Sequence, residues 1–247
     1  MSSKSTPKPS IIVDGVSKWF RKRNSRSLKE AFINKAKRKA VRAERFQALD
    51  DVSFTVYEGE SVAVMGLNGS GKSTTLKLIS GVLEPDKGEV LTRGRVAGLI
   101  EVGAGFHPEL TGRENVFLNA AILGMSEKET QARFDEIIEF SGIGDFIDQA
   151  VKSYSSGMYM RLAFSVAVHV ERDVLLVDEV LAVGDALFRA KCHERLKELS
   201  KQGVTMLVVS HNKQQILEVC TRGIVLQKGK VIFDGDIKEA VELLETT

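Results

Sequence analysis

Cysteine is scarce in this 247-residue chain: there are only Cys192 and Cys220, far apart in sequence. Their spacing fits no metal-binding pattern, and both read as reduced core or surface thiols of a cytosolic protein. Four prolines are too few for long disordered linkers. Aromatics are only 6% of the residues. No run of about 18 apolar residues occurs, so no span of a membrane is expected. The most apolar stretch, 162–170, is short and carries His169. Residues 1–10 are polar without an apolar core, so no secretory leader is expected.

What remains is an ordinary globular composition, 43% hydrophobic and 28% charged, long enough for one large or two small domains. The net charge of +2 conceals an asymmetry. Between Arg21 and Arg45 lie 11 of the 35 Lys and Arg residues and 2 of the 33 acids, a local charge of +9 against −7 elsewhere. One basic block on an acidic body points to an anionic partner. No nucleic-acid partner is expected.

Residues 11–16 read as a strand. In the basic stretch, Leu28, Phe32, Ala36 and Ala40 recur every four residues with Ser27 in place to cap, the pattern of a basic amphipathic helix. Val52, Phe54 and Val56 alternate as in a half-buried strand, and 61–65 is a short apolar run like a buried parallel strand. A helix is expected over 72–80. Residues 89–101 read as short strands broken by Gly94 and Gly98, and 112–146 and 156–170 follow a helical pattern. Strands at 174–177 and 204–209 alternate with helices at 186–200 and 212–220. Strands 223–227 and 230–233 flank a Lys228-Gly229 turn, before a short closing helix. The alternation predicts an α/β fold with a mostly parallel sheet, interrupted by a helical block over 112–165.

The strongest local signal is Gly66-Leu67-Asn68-Gly69-Ser70-Gly71-Lys72-Ser73, which matches the phosphate-loop pattern, with Thr74 the next residue also a candidate to bind the nucleotide. Glycines let backbone N–H groups close on phosphate oxygens without a Cβ in the way. Lys72 is placed for the β- and γ-phosphates, the Ser73 hydroxyl for Mg²⁺, and the following helix aims its positive end at the anion. The chain therefore reads as binding and hydrolysing ATP. Such a loop needs a carboxylate at the end of another buried strand, and Leu175-Leu176-Val177-Asp178-Glu179 supplies it. Asp178 reads as holding Mg²⁺ through water and Glu179 as the general base. A third apolar strand, Leu207-Val208-Val209-Ser210, ends in His211, a candidate for the γ-phosphate.

The segment Tyr154-Ser155-Ser156-Gly157-Met158, followed by Arg161-Leu162-Ala163, resembles the signature sequence of ABC ATPases. The order of phosphate loop, signature, Asp-Glu strand and strand-end His resembles the ABC nucleotide-binding domain along nearly the whole chain. The resemblance implies a P-loop NTPase fold over 1–247, with a RecA-like core, an antiparallel β subdomain and an inserted helical subdomain. It implies that Ser155 and Gly157 face the ATP of a second copy, so that two chains close head to tail over two ATPs. Asp185 matches the loop that contacts the partner across this dimer. Phe20 matches the aromatic that stacks on adenine, with Trp19 as the alternative.

Met158 and Ser156 depart from the family signature, and Glu101 takes the place of a Gln that usually serves Mg²⁺ and water. An ionised carboxylate can ligate the metal but cannot donate a hydrogen bond. These departures resemble the polysaccharide-exporter branch, the Wzt, KpsT and TagH group. The shared stretches are Gly103-Ala104-Gly105-Phe106-His107-Pro108-Glu109-Leu110-Thr111-Gly112-Arg113-Glu114-Asn115 and Glu179-Val180-Leu181-Ala182-Val183-Gly184-Asp185. A basic insertion at about 21–46 is similar too. That branch implies a Wzm-like integral membrane permease as partner, docking near 101–109 and the helical block. It implies lipid-linked glycan as cargo and a peripheral place on the cytoplasmic face of the cell membrane. The expectation includes no C-terminal carbohydrate-binding domain, and an insertion that reaches anionic lipid or a lipid-pyrophosphate head group, or else packs on the permease alone. Alternatives are the ATPase of another exporter, a soluble non-transport ABC ATPase, or a nucleotide-binding module without turnover.

Overall fold

Two runs of alternating apolar residues near the start of the chain pair with each other. In the computed structural model, which describes residues 7–21, 45–99, 103, 105–178, 184–210 and 212–246, these are β1 (Pro9–Arg21) and β2 (Arg45–Tyr57). They are antiparallel, with Val13 opposite Phe54. The chain continues through β3 (Ser61–Met65), α1 (Lys72–Ile79), β4 (Lys87–Thr92) and β5 (Val96–Leu99). Then come α2 (Gly112–Ile122), α3 (Glu127–Ser141), α4 (Ser156–His169) and β6 (Val174–Val177). The chain closes with α5 (Ala186–Lys201), β7 (Thr205–Val208), α6 (Lys213–Val219), β8 (Arg222–Gln227), β9 (Lys230–Asp236) and α7 (Ile237–Glu245).

The strands form two sheets. One is three-stranded and antiparallel, in the order β2-β1-β4. The other has six strands in the order β5-β6-β7-β3-β8-β9, parallel except for the β8–β9 hairpin. Its central strands β3, β6 and β7 are buried at every residue. That two-sided burial is why they read as unbroken apolar runs. Their side chains alternate between two cores. Val62, Val64, Leu176 and Leu207 pack with α1 and the three-stranded sheet, while Ala63, Met65, Val177 and Val208 pack with α4, α5 and α6. Truncating a fully buried leucine such as Leu207 or Leu176 to Ala in such a layer costs about 2–5 kcal/mol.

Several boundaries differ from the sequence-based expectation. β1 runs on from Val16 to Arg21 and β2 starts at Arg45, because register shifts let Lys18, Trp19 and Phe20 keep pairing after the apolar alternation ends. Gly98 does not break β5; it pairs with Leu176 in a regular parallel ladder. Gly94, at φ +75°, does mark the turn before β5. The helical stretch from 112 is two helices. Gly124 at φ +91° ends the first, and a capping box between Ser126 and Glu129 starts the second. Both cysteines are core residues, each 3% exposed. The basic insertion with its amphipathic stripe lies outside the described residues.

Candidate functional site

The carboxyl ends of β3, β6 and β7 lie side by side. Val177, Val208 and Ala63 are in register across the three strands, and the Val209 amide donates to the Val177 carbonyl at 2.7 Å. Whatever follows these strands shares one edge of the sheet, the edge where open α/β sheets bind ligands. Gly66–Ser73 follows β3, Asp178 follows β6, and 209–210 follow β7.

The loop after β3 can be made only from glycines at its key points. Gly66, Gly69 and Gly71 have φ of +143°, +79° and +114°. A Cβ on Gly66 would lie 2.1 Å from the Leu226 carbonyl oxygen, and one on Gly71 would lie 2.5 Å from Leu49 Cδ2. The loop is thus seated on β2 and on the β8–β9 hairpin, whose Gly229 amide donates to the Ser70 carbonyl at 3.0 Å. Leu67, Asn68 and Gly69 form its exposed crest. Lys72 is 7% exposed, and its Nζ donates to the carbonyls of Gly66 at 2.8 Å and Leu67 at 3.2 Å.

Whether a polyphosphate fits here is answered by the start of α1. The other six described α-helices each begin with a side-chain cap, from Thr111, Ser126, Ser155, Asp185, Asn212 and Asp236. No side chain caps α1 at Gly71. Ser70 is 4% exposed, and its hydroxyl has no partner among the described residues. Backbone donors at a helix start and a lysine held over the loop make an oxyanion cradle. Ser73 is exposed in the first helical turn, and Asp178 is half-buried at the end of β6. Two strand spacings, about 10 Å, separate the ends of β6 and β3, a gap that suits a cation and its water shell. Thr74 is half-buried in the same turn as Ser73. Glu101, Glu179 and His211 lie outside the described residues.

The signature segment makes a second cleft. Ser155 caps α4, its Oγ accepting the Met158 amide at 3.2 Å. Asp185 caps α5, accepting the Phe188 amide at 2.8 Å. Ser155, Gly157, Gly184 and Asp185 line one cleft of about 450 Å³. The sequence motifs therefore converge as two groups, with none of the phosphate-loop residues lining this second cleft. Arg161, quoted above within the signature segment but given no role there, also lines it. Its Nε donates to the Ser141 carbonyl at 2.8 Å, its guanidinium lies 5.3 Å from the Phe188 ring centroid, and its NH1 is 3.8 Å from Asp185. The available signal was its place four residues beyond Gly157, on the same helix face.

Phe20 and Trp19 share a third cleft, of about 360 Å³, with Arg21, Arg45 and Asp86. Phe20 is 37% exposed and lies opposite Phe46 across the strands. Trp19 is half-buried, and its backbone amide donates to Asp86 at 2.7 Å. That bond, with Lys18, holds the Asp86 carboxyl below its ordinary pKa. Of the two rings, Phe20 is the freer to meet a ligand.

The family profile described as ABC transporter matches residues 49–182. The chain is 51% identical over 235 residues to the ABC transporter protein AbcA of Aeromonas salmonicida, covering 94% of this chain and 75% of that protein. It is 50% identical over 203 residues to the O-antigen export system ATP-binding protein RfbB of Klebsiella pneumoniae, covering 82% of each. It is 44% identical over 199 residues to the teichoic acids export ATP-binding protein TagH of Bacillus anthracis, covering 81% of this chain and 36% of that one. Among solved structures, an ATP-binding subunit of an ABC transporter aligns with a TM-score of 0.74 at 24% identity, over 96% of this chain and 93% of that one. A dimeric ATP-binding cassette in a post-hydrolysis state, bound to ADP and Pi, aligns at 0.72 and 24% identity, over 92% of this chain and 98% of the other.

Proposed function

The chain belongs to the ABC transporter family, and from that premise we propose that it is the ATP-hydrolysing subunit of an exporter of lipid-linked polysaccharide. One observation carries the ATPase part: the uncapped start of α1, reached through a glycine loop at the strand edge that also bears Asp178. The export part rests on the likeness to O-antigen and teichoic acid export proteins.

In this reading Lys72 and the amides of Gly69, Ser70 and Gly71 bind the β- and γ-phosphates of ATP, with Asn68 and Thr74 beside them. Phe20 stacks on the adenine. The Ser73 hydroxyl, Asp178 through water, and Glu101 would hold Mg²⁺, which supplies charge neutralisation on the phosphates when bound. Glu179 takes the proton of the attacking water, while Lys72 and His211 steady the charge growing on the γ-phosphate. Ser155 and Gly157 complete the site from a second copy, and Asp185 lies across the dimer from the first. A homodimer of this kind closes on ATP and opens after hydrolysis, moving helices of an integral membrane permease docked near 101–109. The chain then works at the cytoplasmic face of the membrane, and the basic insertion meets anionic lipid or a lipid-pyrophosphate head group. Each basic residue near an anionic surface contributes about 1 kcal/mol before screening. The subdomain division follows the same reading: an antiparallel β part, a core, and helices from about 112 to 165.

The test is genetic and chemical together. Removing the chain from its host should strand lipid-linked glycan on the cytoplasmic side, and Lys72→Ala should fail to restore export. Glycan that still reaches the surface without the chain contradicts the cargo. Co-purification with a membrane subunit separates this reading from a soluble ATPase. Charge reversal of Lys37, Arg38 and Lys39 to Glu should lower export and spare basal ATP hydrolysis.

A further inference from the structure

The described residues between β5 and α2 are held in two parts, 107–111 by α2 and by the Val151 and Lys152 amides, which donate to the Leu110 and Pro108 carbonyls at 2.9 and 2.8 Å, and 103–106 by α4. On one side Asn115 of α2, fully buried, accepts the His107 amide at 2.6 Å. Its own amide nitrogen lies 3.0, 3.1 and 2.9 Å from the carbonyl oxygens of His107, Leu110 and Thr111. On the other side Tyr159 of α4 donates its hydroxyl to the Gly103 carbonyl at 2.7 Å. That same carbonyl accepts the Phe106 amide at 3.1 Å, and the Phe106 ring meets the Tyr159 ring edge-on at 5.0 Å. Gly103 has φ +87°, and a Cβ there would lie 2.5 Å from the Tyr159 ring, so only glycine lets the ring close. Burial raises the pKa of the Tyr159 hydroxyl, which therefore stays protonated and keeps its donor role.

Tyr159 stands one helical turn beyond Ser155, and its amide donates to the Ser155 carbonyl at 3.0 Å. The turn that carries Ser155 and Gly157 thus ends in the side chain that grips Gly103. Glu101 lies two residues before Gly103 in the chain. We propose that Tyr159 is a positioning residue: its hydroxyl latches the Gly103 backbone to the start of α4, so that the Gly103–Phe106 turn and the Ser155–Gly157 turn move as one body. The latch rests on the reading of Ser155 and Gly157 as half of a site shared between two copies. Asn115 and the amides of Val151 and Lys152 hold 107–111 independently of Tyr159, whereas the Gly103–Phe106 turn is held to α4 by Tyr159.

The test is amide hydrogen exchange on the full chain carrying Glu179→Gln, with and without ATP. Without nucleotide, Tyr159→Phe should speed exchange at Phe106 by about fivefold, the effect of one lost hydrogen bond. Gly103→Ala, whose Cβ displaces the ring, should do the same, while His107, held by Asn115, should change less than about twofold. Unchanged exchange at Phe106 in both variants overturns the latch. With ATP, the amides of Gly157, Met158 and Phe106 should gain protection together in the parent, and those of Gly157 and Met158 alone in Tyr159→Phe. Joint protection in Tyr159→Phe overturns the coupling. If ATP protects neither Gly157 nor Met158 in the parent, the shared-site reading fails, and the nucleotide-free exchange at Phe106 still decides the latch.

Discussion

At the residue scale, the glycines of the phosphate loop are fixed by neighbours that the sequence does not advertise. Gly71 is required by Leu49 and by the Ala48 carbonyl, 2.5 and 2.9 Å from where its Cβ would sit. Gly71→Ala must move β2 or abandon φ +114°, and should lose about 1–3 kcal/mol of stability. Denaturant unfolding measures it, and a loss below about 0.5 kcal/mol contradicts the packing. The two cysteines give a pH-linked expectation. Burial pushes both thiols up to about 12. An unfolded thiol titrates near 8.5. The folded state therefore holds its protons longer, so this contribution to stability is complete below about pH 8.5 and declines as pH rises toward 12. A thiol-specific reagent at pH 8 should label neither cysteine in the native chain and both after unfolding. Rapid native labelling of either one contradicts their burial.

At the scale of elements, the legible parts were those with a single physical cause. β3, β6 and β7 are buried on both faces, so nothing polar interrupts them and their ends could be read to within a residue. The β8–β9 turn at Lys228-Gly229 was legible because both residues take positive φ, +48° and +79°. The far half of β1 was not, because Lys18, Trp19 and Phe20 follow no apolar alternation and pair across register shifts. The break at Gly124 was hidden by apolar residues on both sides of it, Ile122 and Leu123 before and Met125 after. Of the site, the phosphate loop, Asp178 and the Ser155 turn were evident as motifs, whereas Arg161 and Tyr159 act through carbonyls 20 and 56 residues away, and Asn115 through loop carbonyls four to eight residues before it. Asn115→Ala tests that last role. It strips a buried side chain of every bond it makes to 107–111 and should cost about 2–4 kcal/mol, seen as a lowered unfolding midpoint. An unchanged midpoint would contradict that contribution.

At the scale of the whole molecule, the fold presents two separate surfaces, which the proposed function reads as two half-sites. The cradle at α1 lies on the carboxyl edge of the sheet, and the cleft of Ser155, Gly157 and Asp185 has none of its residues in its lining. Both are rigidly built: the first by the β2 and β8–β9 supports, the second by the caps of α4 and α5. A chain with such paired but separate surfaces is suited to closing on a copy of itself around a nucleotide. Symmetric two-copy assembly makes each surface serve the other chain, giving two equivalent sites.

The most direct measurement is sedimentation of the Glu179→Gln chain with and without saturating ATP, compared with the same chain also carrying Ser155→Arg. ATP should convert the 27.2 kDa chain to a species of twice that mass, and Ser155→Arg should hold it at 27.2 kDa while leaving ATP bound. A chain that stays at 27.2 kDa in ATP, or a dimer that Ser155→Arg leaves intact, would contradict the shared site.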